Sequence, residues 1–384
     1  MPEFYVDEKG CYHYNNEKYS KCIIPTNVTI KSWNPKIVSY YESLYSKKLP
    51  ASPIEEILKD QITNRGYYNL DGCEQLSSEQ NKFGNNFHHE KACPQRVGIK
   101  KDDGTIYPYY FKPHNTISGG KDAVDKIIEN VFRSKVYPIE THCYAGIYNG
   151  KLGTISEDLN HIPNTKTLRL DKYLESKGVE LESVIDIIKA YNEGVFKEDL
   201  TDLAIAQLIF SQFILPNVLN EQDPNTRNAI LMGSDQKDAK KYKFIGRIDF
   251  ENNAEEDKYT IPFGIFNRGE QIYEFKENLK KAVTDKLLTP KDINLINSMY
   301  QVAEYITRNT NVDNIVESIR RAHKLPQKYN YEKIGSVSDY FTYTELVKFG
   351  EKYHKYAKNH INDIKNTINE IGCPLSDDLQ LPPL

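Results

Sequence analysis

The run that decides the fold reads Asp223-Pro224-Asn225-Thr226-Arg227-Asn228. It follows a long apolar stretch over residues 200–219, which predicts a helix. Two β-rich segments around a polar turn come next, over residues 228–232 and 241–249, and they predict a hairpin. The outgoing strand of that hairpin ends at Ile248-Asp249-Phe250. The loop before the hairpin and the end of its last strand therefore each carry a carboxylate.

The same five-residue step from Asp to Asn occurs a second time, at Asp292 and Asn297. That copy lies inside a predicted C-terminal helix, where we interpret it as chance. For Asp223 and Asp249 there is also a purely structural interpretation, in which one caps a loop and the other ends a strand. Their position between a long helix and a hairpin is what favours a functional role.

Two further hairpins precede the helix-rich part of the chain. The first turns at Asp102-Asp103-Gly104 and the second at Asn149-Gly150. Asp-Gly and Asn-Gly between β-rich runs are the strongest short signals for tight hairpin turns. Between the two hairpins, the apolar positions of residues 121–134 share one face and predict a helix.

After residue 163 we expect helices, interrupted by the third hairpin, and helices alone from residue 270 onward. This order predicts an α+β fold with a small β-rich lobe, a helical lobe and an additional C-terminal helical region. The expected divisions are an N-terminal extension over 1–72, the β-rich lobe over 73–163, the helical lobe over 164–269 and the C-terminal helical region over 270–384.

Length and composition narrow the class of protein. The chain has 384 residues and a formal net charge of −4, so it can bury a large core. Its 28 Tyr residues come without an excess of Lys and Arg, which does not favour nucleic-acid binding. No apolar run is long enough for a membrane span, and the first residues lack the pattern of a secretory signal. Six cysteines are too few for a disulfide scaffold and favour a cytoplasmic location.

The third hairpin carries the residue types that phosphoryl transfer from ATP requires. That reaction uses one carboxylate near the acceptor hydroxyl, and an amide oxygen with a second carboxylate on a divalent metal. We assign the first role to Asp223 and the metal to Asn228 and Asp249.

The reaction also needs a Lys on the phosphates, held by an acidic residue. Lys112 ends the first hairpin and is the candidate, with a solvent-exposed Lys on an edge strand as the alternative interpretation. Its predicted partner is Glu129 in the following helix, and Glu140 is the fallback.

In element order and in these positions, residues 73–264 resemble the divergent protein-kinase-like families. The likeness is to bacterial HipA-like and effector kinases in particular, and more distantly to phosphoinositide kinases. It implies a bilobal protein-kinase-like fold, ATP with Mg²⁺ or Mn²⁺, and an acceptor hydroxyl on protein Ser or Thr. The Asn-, Lys- and Tyr-rich composition is similar to that of effector kinases that Legionella delivers into host cells. This similarity implies the host cytosol or a host membrane surface as the alternative location.

The sequence departs from these families at the nucleotide loop and at the metal site. No Gly-x-Gly-x-x-Gly motif is present, His and Arg are missing before Asp223, and Glu251 stands where Asp-Phe-Gly has its Gly. The expected nucleotide loop covers residues 77–86. Its Gln80-Asn81-Lys82-Phe83-Gly84 is similar to the Gln-Pro-Lys loop of HipA-like kinases and makes Lys82 a nucleotide-binding candidate.

A basic segment lies near the C-terminus. Residues 320–360 hold nine Lys and Arg against four Asp and Glu. The candidate anion ligands are Arg320, Arg321, Lys348, Lys352 and Lys355, the last three at helical spacing. Such a cluster suits a phosphoinositide headgroup or a soluble inositol polyphosphate, and it also fits an ordinary solvated helix face.

Two alternatives to a protein kinase stay open. One is a catalytically degenerate kinase fold that serves as a binding module or phosphoinositide-binding scaffold, and the other is a lipid kinase. A zinc site from Cys73, His88, His89 and Cys93 is disfavoured because no Cys-x-x-Cys pair is present.

Overall fold

The computed structural model describes most of the β-rich and helical parts of the chain. The described residues are 4–6, 12–14, 17–19, 33–45, 49, 52–61, 67–76, 94–114, 130, 134, 136–139, 141–181, 184–218, 221, 226–236, 241–249, 260–261, 270–271, 279–309, 359, 361–363, 365–372, 376 and 378–384. Within these ranges, no helix combines the length and the apolar character needed to cross a bilayer.

A six-stranded sheet dominates the first half of the described chain. Its strands lie in the order β4-β8-β9-β7-β6-β5. All neighbours are antiparallel except β4, which runs parallel to β8. The strands are Tyr68–Asn69 (β4), Glu74–Gln75 (β5), Gln95–Lys100 (β6), Ile106–Pro113 (β7), Cys143–Tyr148 (β8) and Lys151–Glu157 (β9).

Both predicted hairpins of this sheet are confirmed. β6 pairs with β7 up to Lys100 opposite Ile106, and β8 pairs with β9 up to Tyr148 opposite Lys151. Asn149 and Gly150 form the two-residue turn with φ angles of 50° and 68°. A type I′ turn requires positive φ at both positions, which Asn and Gly tolerate best. Most of the helix predicted over 121–134 lies outside the described residues.

Two helices precede the six-stranded sheet, Pro35–Leu44 (α1) and Ile54–Ile57 (α2). The helices after residue 163 follow the predicted order and are Leu170–Lys177 (α3), Val184–Asn192 (α4), Asp202–Ile209 (α5), Leu215–Val218 (α6) and Pro290–Asn309 (α7). A π-helical turn, Phe210–Ile214, joins α5 to α6. Thr201 caps α5 by accepting a hydrogen bond from the Ala204 N–H at 3.2 Å. The apolar run predicted as a helix is therefore helical, and residues 204–216 are buried.

A second sheet contains the strands Thr165–Arg169 (β10), Ala229–Ser234 (β11) and Phe244–Arg247 (β12), in that order and antiparallel. β11 and β12 form the predicted third hairpin. The expectation of no other strand after residue 163 was wrong, because β10 pairs with β11. All five of its residues are half-buried and Leu168 is its one large aliphatic residue, so no alternating pattern marks it.

Two small sheets complete the strands. One contains Phe4–Val6 (β1), Tyr12–Tyr14 (β2) and Glu17–Tyr19 (β3). The other pairs Thr260–Ile261 (β13) with Glu270–Gln271 (β14). The prediction of helix from residue 270 onward was therefore wrong at its start. It is right for residues 279–284, for α7 and for residues 365–371, after which Gly372 turns the chain at φ 70°.

The main core connects the helices to the first sheet. Buried side chains of α5 and the π-helical turn pack in one apolar cluster with those of α7, β8 and β9. α1, which lies in the predicted N-terminal extension, adds Ile37 and Leu44 to this cluster and packs against α7. A second cluster fills one face of the six-stranded sheet around Tyr109 and Phe111. The mixed α+β fold class is confirmed.

Candidate active site

Asp249 lies just beyond the end of β12 in a backbone conformation that non-glycine residues rarely adopt. Its φ is 58°, in the left-handed region that costs an L-residue roughly 1–2 kcal/mol, although Asp and Asn are the most tolerant. Residues held in such conformations concentrate at active sites and ligand clamps. The side chain keeps 38% of its surface exposed, so its carboxylate is accessible to a ligand.

Asn228 stands beside Asp249 at the same end of the hairpin. It ends the 3₁₀ turn Thr226–Asn228 and directly precedes β11. The Ile248 N–H donates to the Asn228 carbonyl at 2.8 Å, which extends the ladder between β11 and β12 by one step. Because Asp249 directly follows Ile248, this bond brings the predicted amide ligand and the predicted carboxylate ligand to neighbouring positions.

Lys112 comes to this hairpin end from the six-stranded sheet. Its Nζ lies 3.0 Å from Oδ1 of Asp249, across 137 positions of sequence. The lysine side chain is 27% exposed, so the pair borders solvent and is not sealed in the core. The residue predicted to bind phosphate and one of the residues predicted to bind metal were identified separately from the sequence, and their side chains are in direct contact.

Gly153 holds the backbone of Lys112 close to the neighbouring strand, and the sequence analysis missed it. It pairs opposite Pro113, beside the pair of Lys112 and Thr154. A Cβ at this glycine would lie 2.3 Å from the Lys112 carbonyl oxygen and 2.7 Å from Cζ of Phe111. A glycine in mid-strand often marks such a close approach, which is the signal that could have identified it.

Several predicted site residues lie outside the described residues. They are Asp223, Glu129, Glu140, Lys82, Arg320, Arg321, Lys348, Lys352 and Lys355. Their roles stay predictions, as do those of Lys112, Asn228 and Asp249. Among the described residues, no group of three or more His, Cys, Asp or Glu side chains is arranged to hold a metal ion.

The donor set at the hairpin end nevertheless fits the divalent metal that a kinase needs. Mg²⁺ prefers oxygen ligands and is usually held by one or two carboxylates together with substrate phosphates. Asp249 offers a carboxylate and Asn228 an amide oxygen. Mn²⁺ accepts the same oxygen ligands.

His142 and Cys143, at the start of β8, each contact a polar side chain of β9. His142 Nδ1 lies 2.6 Å from Oε2 of Glu157, and Cys143 is buried with its Sγ 3.5 Å from Oγ of Ser156. Of the four residues of the disfavoured zinc site, Cys73 is described and half-buried, and the other three lie outside the described residues.

Asp292, in the second Asp-to-Asn step, caps a helix. It accepts hydrogen bonds from the Thr289 N–H at 2.7 Å and from the Thr289 hydroxyl at 2.6 Å, while its own N–H lies 3.3 Å from Oγ1 of Thr289. This reciprocal pair is a capping box at the start of α7. The interpretation of this step as chance is therefore supported by the local geometry.

Replacing Asp292 by Ala is expected to lower stability by about 1 kcal/mol, because the capping box of α7 loses the carboxylate that accepts hydrogen bonds from Thr289. Burial raises the pKa of Asp292, but hydrogen bonds from Thr289 and Asn192 outweigh it and hold the pKa below its usual value. The stabilisation should therefore be present above the pKa of an unfolded Asp, near 4, and disappear as the pH falls further. Thermal denaturation of both proteins across acid pH measures this difference, and a gap that persists at the most acid pH would contradict it.

The chain has distant structural likenesses to a number of solved proteins. No family model matches the sequence, and no curated protein matches it. The crystal structure of the Helicobacter pylori proinflammatory kinase CtkA aligns over 80% of this chain and 99% of its own, with 11% sequence identity and a TM-score of 0.36. The open conformation of CtTel1 aligns over 74% of this chain and 12% of its own, with 12% identity and a TM-score of 0.26. TM-scores this low assign no residue roles, so the contacts of this chain's own side chains decide what the site can do.

Proposed function

We propose that this chain is an atypical kinase with a bilobal protein-kinase-like fold, which transfers the γ-phosphoryl group of ATP to a Ser or Thr hydroxyl of a protein. The observation that carries the proposal is the contact between Lys112 and Asp249. It joins the β-rich sheet to the hairpin end that also holds Asn228. The resemblance to secreted effector kinases supports action in a host cytosol or at a host membrane.

Each described side chain has a specific task in this proposal. Lys112 provides a positive charge for the phosphates of ATP. Asp249 and Asn228 hold Mg²⁺ or Mn²⁺ through their oxygen atoms. The metal, when bound, supplies positive charge that offsets the negative charge of the phosphate oxygens. The contact with Lys112 orients the Asp249 carboxylate before any ligand arrives, which is the preorganisation that electrostatic catalysis needs.

The transfer itself requires a base at the acceptor, and Asp223 is the proposed residue. The acceptor hydroxyl gives its proton to the Asp223 carboxylate while its oxygen forms a bond to the γ-phosphorus. The bond between that phosphorus and the bridging oxygen breaks, and ADP leaves with the electron pair. Because the transition state is loose, positioning and charge stabilisation provide most of the rate enhancement.

Incubation with labelled ATP tests the proposal directly. The protein is incubated with Mg²⁺ or Mn²⁺, alone, with generic protein substrates and with phosphoinositides, and the label in protein and in lipid is measured. A metal-dependent thermal shift with ATP is the matching binding measurement. Label in protein together with this shift supports the kinase.

Other results would contradict the proposal in distinct ways. Label in phosphoinositides and none in protein would indicate a lipid kinase. A thermal shift with anionic lipid headgroups and none with ATP would indicate a binding module. No response to ATP under any condition would contradict an ATP-dependent function altogether.

The basic segment is proposed to bind a multiply charged phosphate that regulates or locates the kinase. The charge excess in residues 320–360 supports this role. We expect micromolar inositol hexakisphosphate, or vesicles that contain phosphoinositides, to bind the protein in a salt-sensitive way. Charge reversal at Lys348, Lys352 and Lys355 should abolish this binding, and unchanged binding would contradict the assignment.

A further inference from the structure

A buried polar cluster includes residues that lie close in sequence to the candidate site residues. Glu221 stands two residues before Asp223 in the sequence, and Arg247 stands two residues before Asp249. Their side chains are 1% and 0% exposed, and Nη2 of Arg247 donates to Oε1 of Glu221 at 2.5 Å. The hydroxyl of Tyr137, which is also buried, donates to Oε2 of the same carboxylate. One carboxylate thus joins three separate segments of the chain.

The three segments are the ones whose relative placement matters for the proposed reaction. Glu221 follows α6 and precedes the turn that ends at Asn228. Arg247 is the last residue of β12, paired opposite Ala229. Tyr137 lies in the connection that enters the six-stranded sheet at β8, and the adjacent Val136 carbonyl accepts a hydrogen bond from the Tyr45 hydroxyl of the chain after α1.

The positive charge of Arg247 is favoured by its contacts within the cluster. Burial lowers the pKa of Arg247, but the Glu221 carboxylate and Tyr137 more than compensate, so the pKa lies above its usual value. The guanidinium therefore stays charged. Well-packed apolar side chains of the same volume often stabilise a fold more than a buried ion pair does. The better-attested role of such a pair is to hold the segments that carry it in one specific arrangement. Bond directionality at both carboxylate oxygens restricts how the three segments can move relative to one another.

We propose that Tyr137, Glu221 and Arg247 form a positioning unit for phosphoryl transfer, which sets the distance from Asn228 and Asp249 to the six-stranded sheet that carries Lys112. This inference rests on the proposed kinase function. None of the three side chains is assigned a contact with the substrate. Their effect is on geometry, and misplacement of catalytic groups by about 1 Å can lower a rate by about 10²-fold.

The test compares two variants that each remove one buried hydroxyl. Tyr137→Phe deletes the hydrogen bond to Glu221 and keeps the ring. Tyr109→Phe is the matched control, because Tyr109 is equally buried and its hydroxyl bonds to Ser52 Oγ at 2.7 Å and accepts from the Ile54 N–H at 3.1 Å. Tyr109 lies three residues before Lys112 on β7, so the side chains of Tyr109 and Lys112 point to opposite faces of the sheet.

The expected result separates positioning from stability. Both variants should lose thermal stability, and Tyr137→Phe should lose at least as much as Tyr109→Phe, because the Tyr137 hydroxyl donates to a carboxylate. Tyr137→Phe should lower kcat by about tenfold while the KM for ATP changes less than twofold. Tyr109→Phe should leave kcat unchanged.

Hydrogen exchange gives a second measurement that does not depend on activity. Backbone amides in residues 226–230 and 245–249, including Ile248, should exchange faster in Tyr137→Phe and not in Tyr109→Phe. Equal kcat values in the two variants, or unchanged exchange in Tyr137→Phe, would overturn the positioning role. If the wild-type protein transfers no phosphate, the proposed kinase function itself is wrong. This result is obtained before any variant is compared, so it is distinguishable from a failure of the positioning role.

Discussion

Asp249→Asn is expected to reduce phosphoryl transfer by about 10²-fold or more, because the site loses the anionic ligand that holds the metal. Asn is the most specific substitution for this test, because it removes only the charge, keeps the shape of the side chain and tolerates the left-handed backbone at φ 58°. The fold should therefore persist while the charge is lost. Initial rates with labelled ATP, normalised to folded protein, measure the effect.

Asp235→Asn is the control for this experiment. Asp235 is exposed at the other end of the hairpin, just after β11, and its N–H donates to the Asn164 carbonyl at 3.2 Å through the backbone alone. This variant makes the same change of charge in the same hairpin and should keep full activity. Near-normal turnover in Asp249→Asn with an intact fold would remove Asp249 from the metal site.

The sequence predicts those parts of the fold that depend on local chemistry. Asn149-Gly150 forms its two-residue turn because both residues accept positive φ. Gly178 ends α3 at φ 64° for the same reason. The third hairpin could be predicted because its two strands are adjacent in sequence. The end of its second strand then indicated Asp249 as the candidate metal-binding carboxylate.

Features that depend on distant partners could not be predicted. β10 has no apolar alternation of its own and forms on the edge of β11, more than 60 positions later. β4 has two residues and pairs with β8 in a parallel arrangement. The bond between Glu221 and Arg247 also escaped the sequence analysis, because a charged residue in an apolar strand shows that a partner is needed without showing which one.

The candidate site combines residues that are close in sequence with one that is distant, so only part of it could be predicted from local patterns. Asp249 and Asn228 belong to one hairpin, so a local pattern predicts their proximity. Lys112 comes from another sheet, and its inclusion depended on what phosphoryl transfer requires chemically. The contact between Lys112 and Asp249 places it at the hairpin end, while its function stays a prediction.

Lys112→Met is expected to weaken the use of ATP by about 10- to 100-fold in kcat/KM, the range expected for one charge-assisted hydrogen bond to phosphate. Met keeps most of the apolar stem and removes the charge. The melting temperature without ligand should change little, because the ion pair with Asp249 is 27% and 38% exposed and such pairs contribute about 0–1 kcal/mol. Kinetics and thermal shifts with ATP and Mg²⁺ measure both effects.

Lys101→Met is the matched control for Lys112. Lys101 follows β6 in the same sheet, its side chain is 35% exposed, and its Nζ lies 3.4 Å from Oε1 of Glu56. It therefore loses a comparable ion pair at a comparable exposure, away from Asp249. Equal effects of the two substitutions on kcat/KM would show that charge near the sheet, and not contact with the phosphates, accounts for the loss. A fall in stability that matches the fall in activity would make Lys112 a structural residue, because only a phosphate-binding Lys should lower ATP use while leaving the folded state intact.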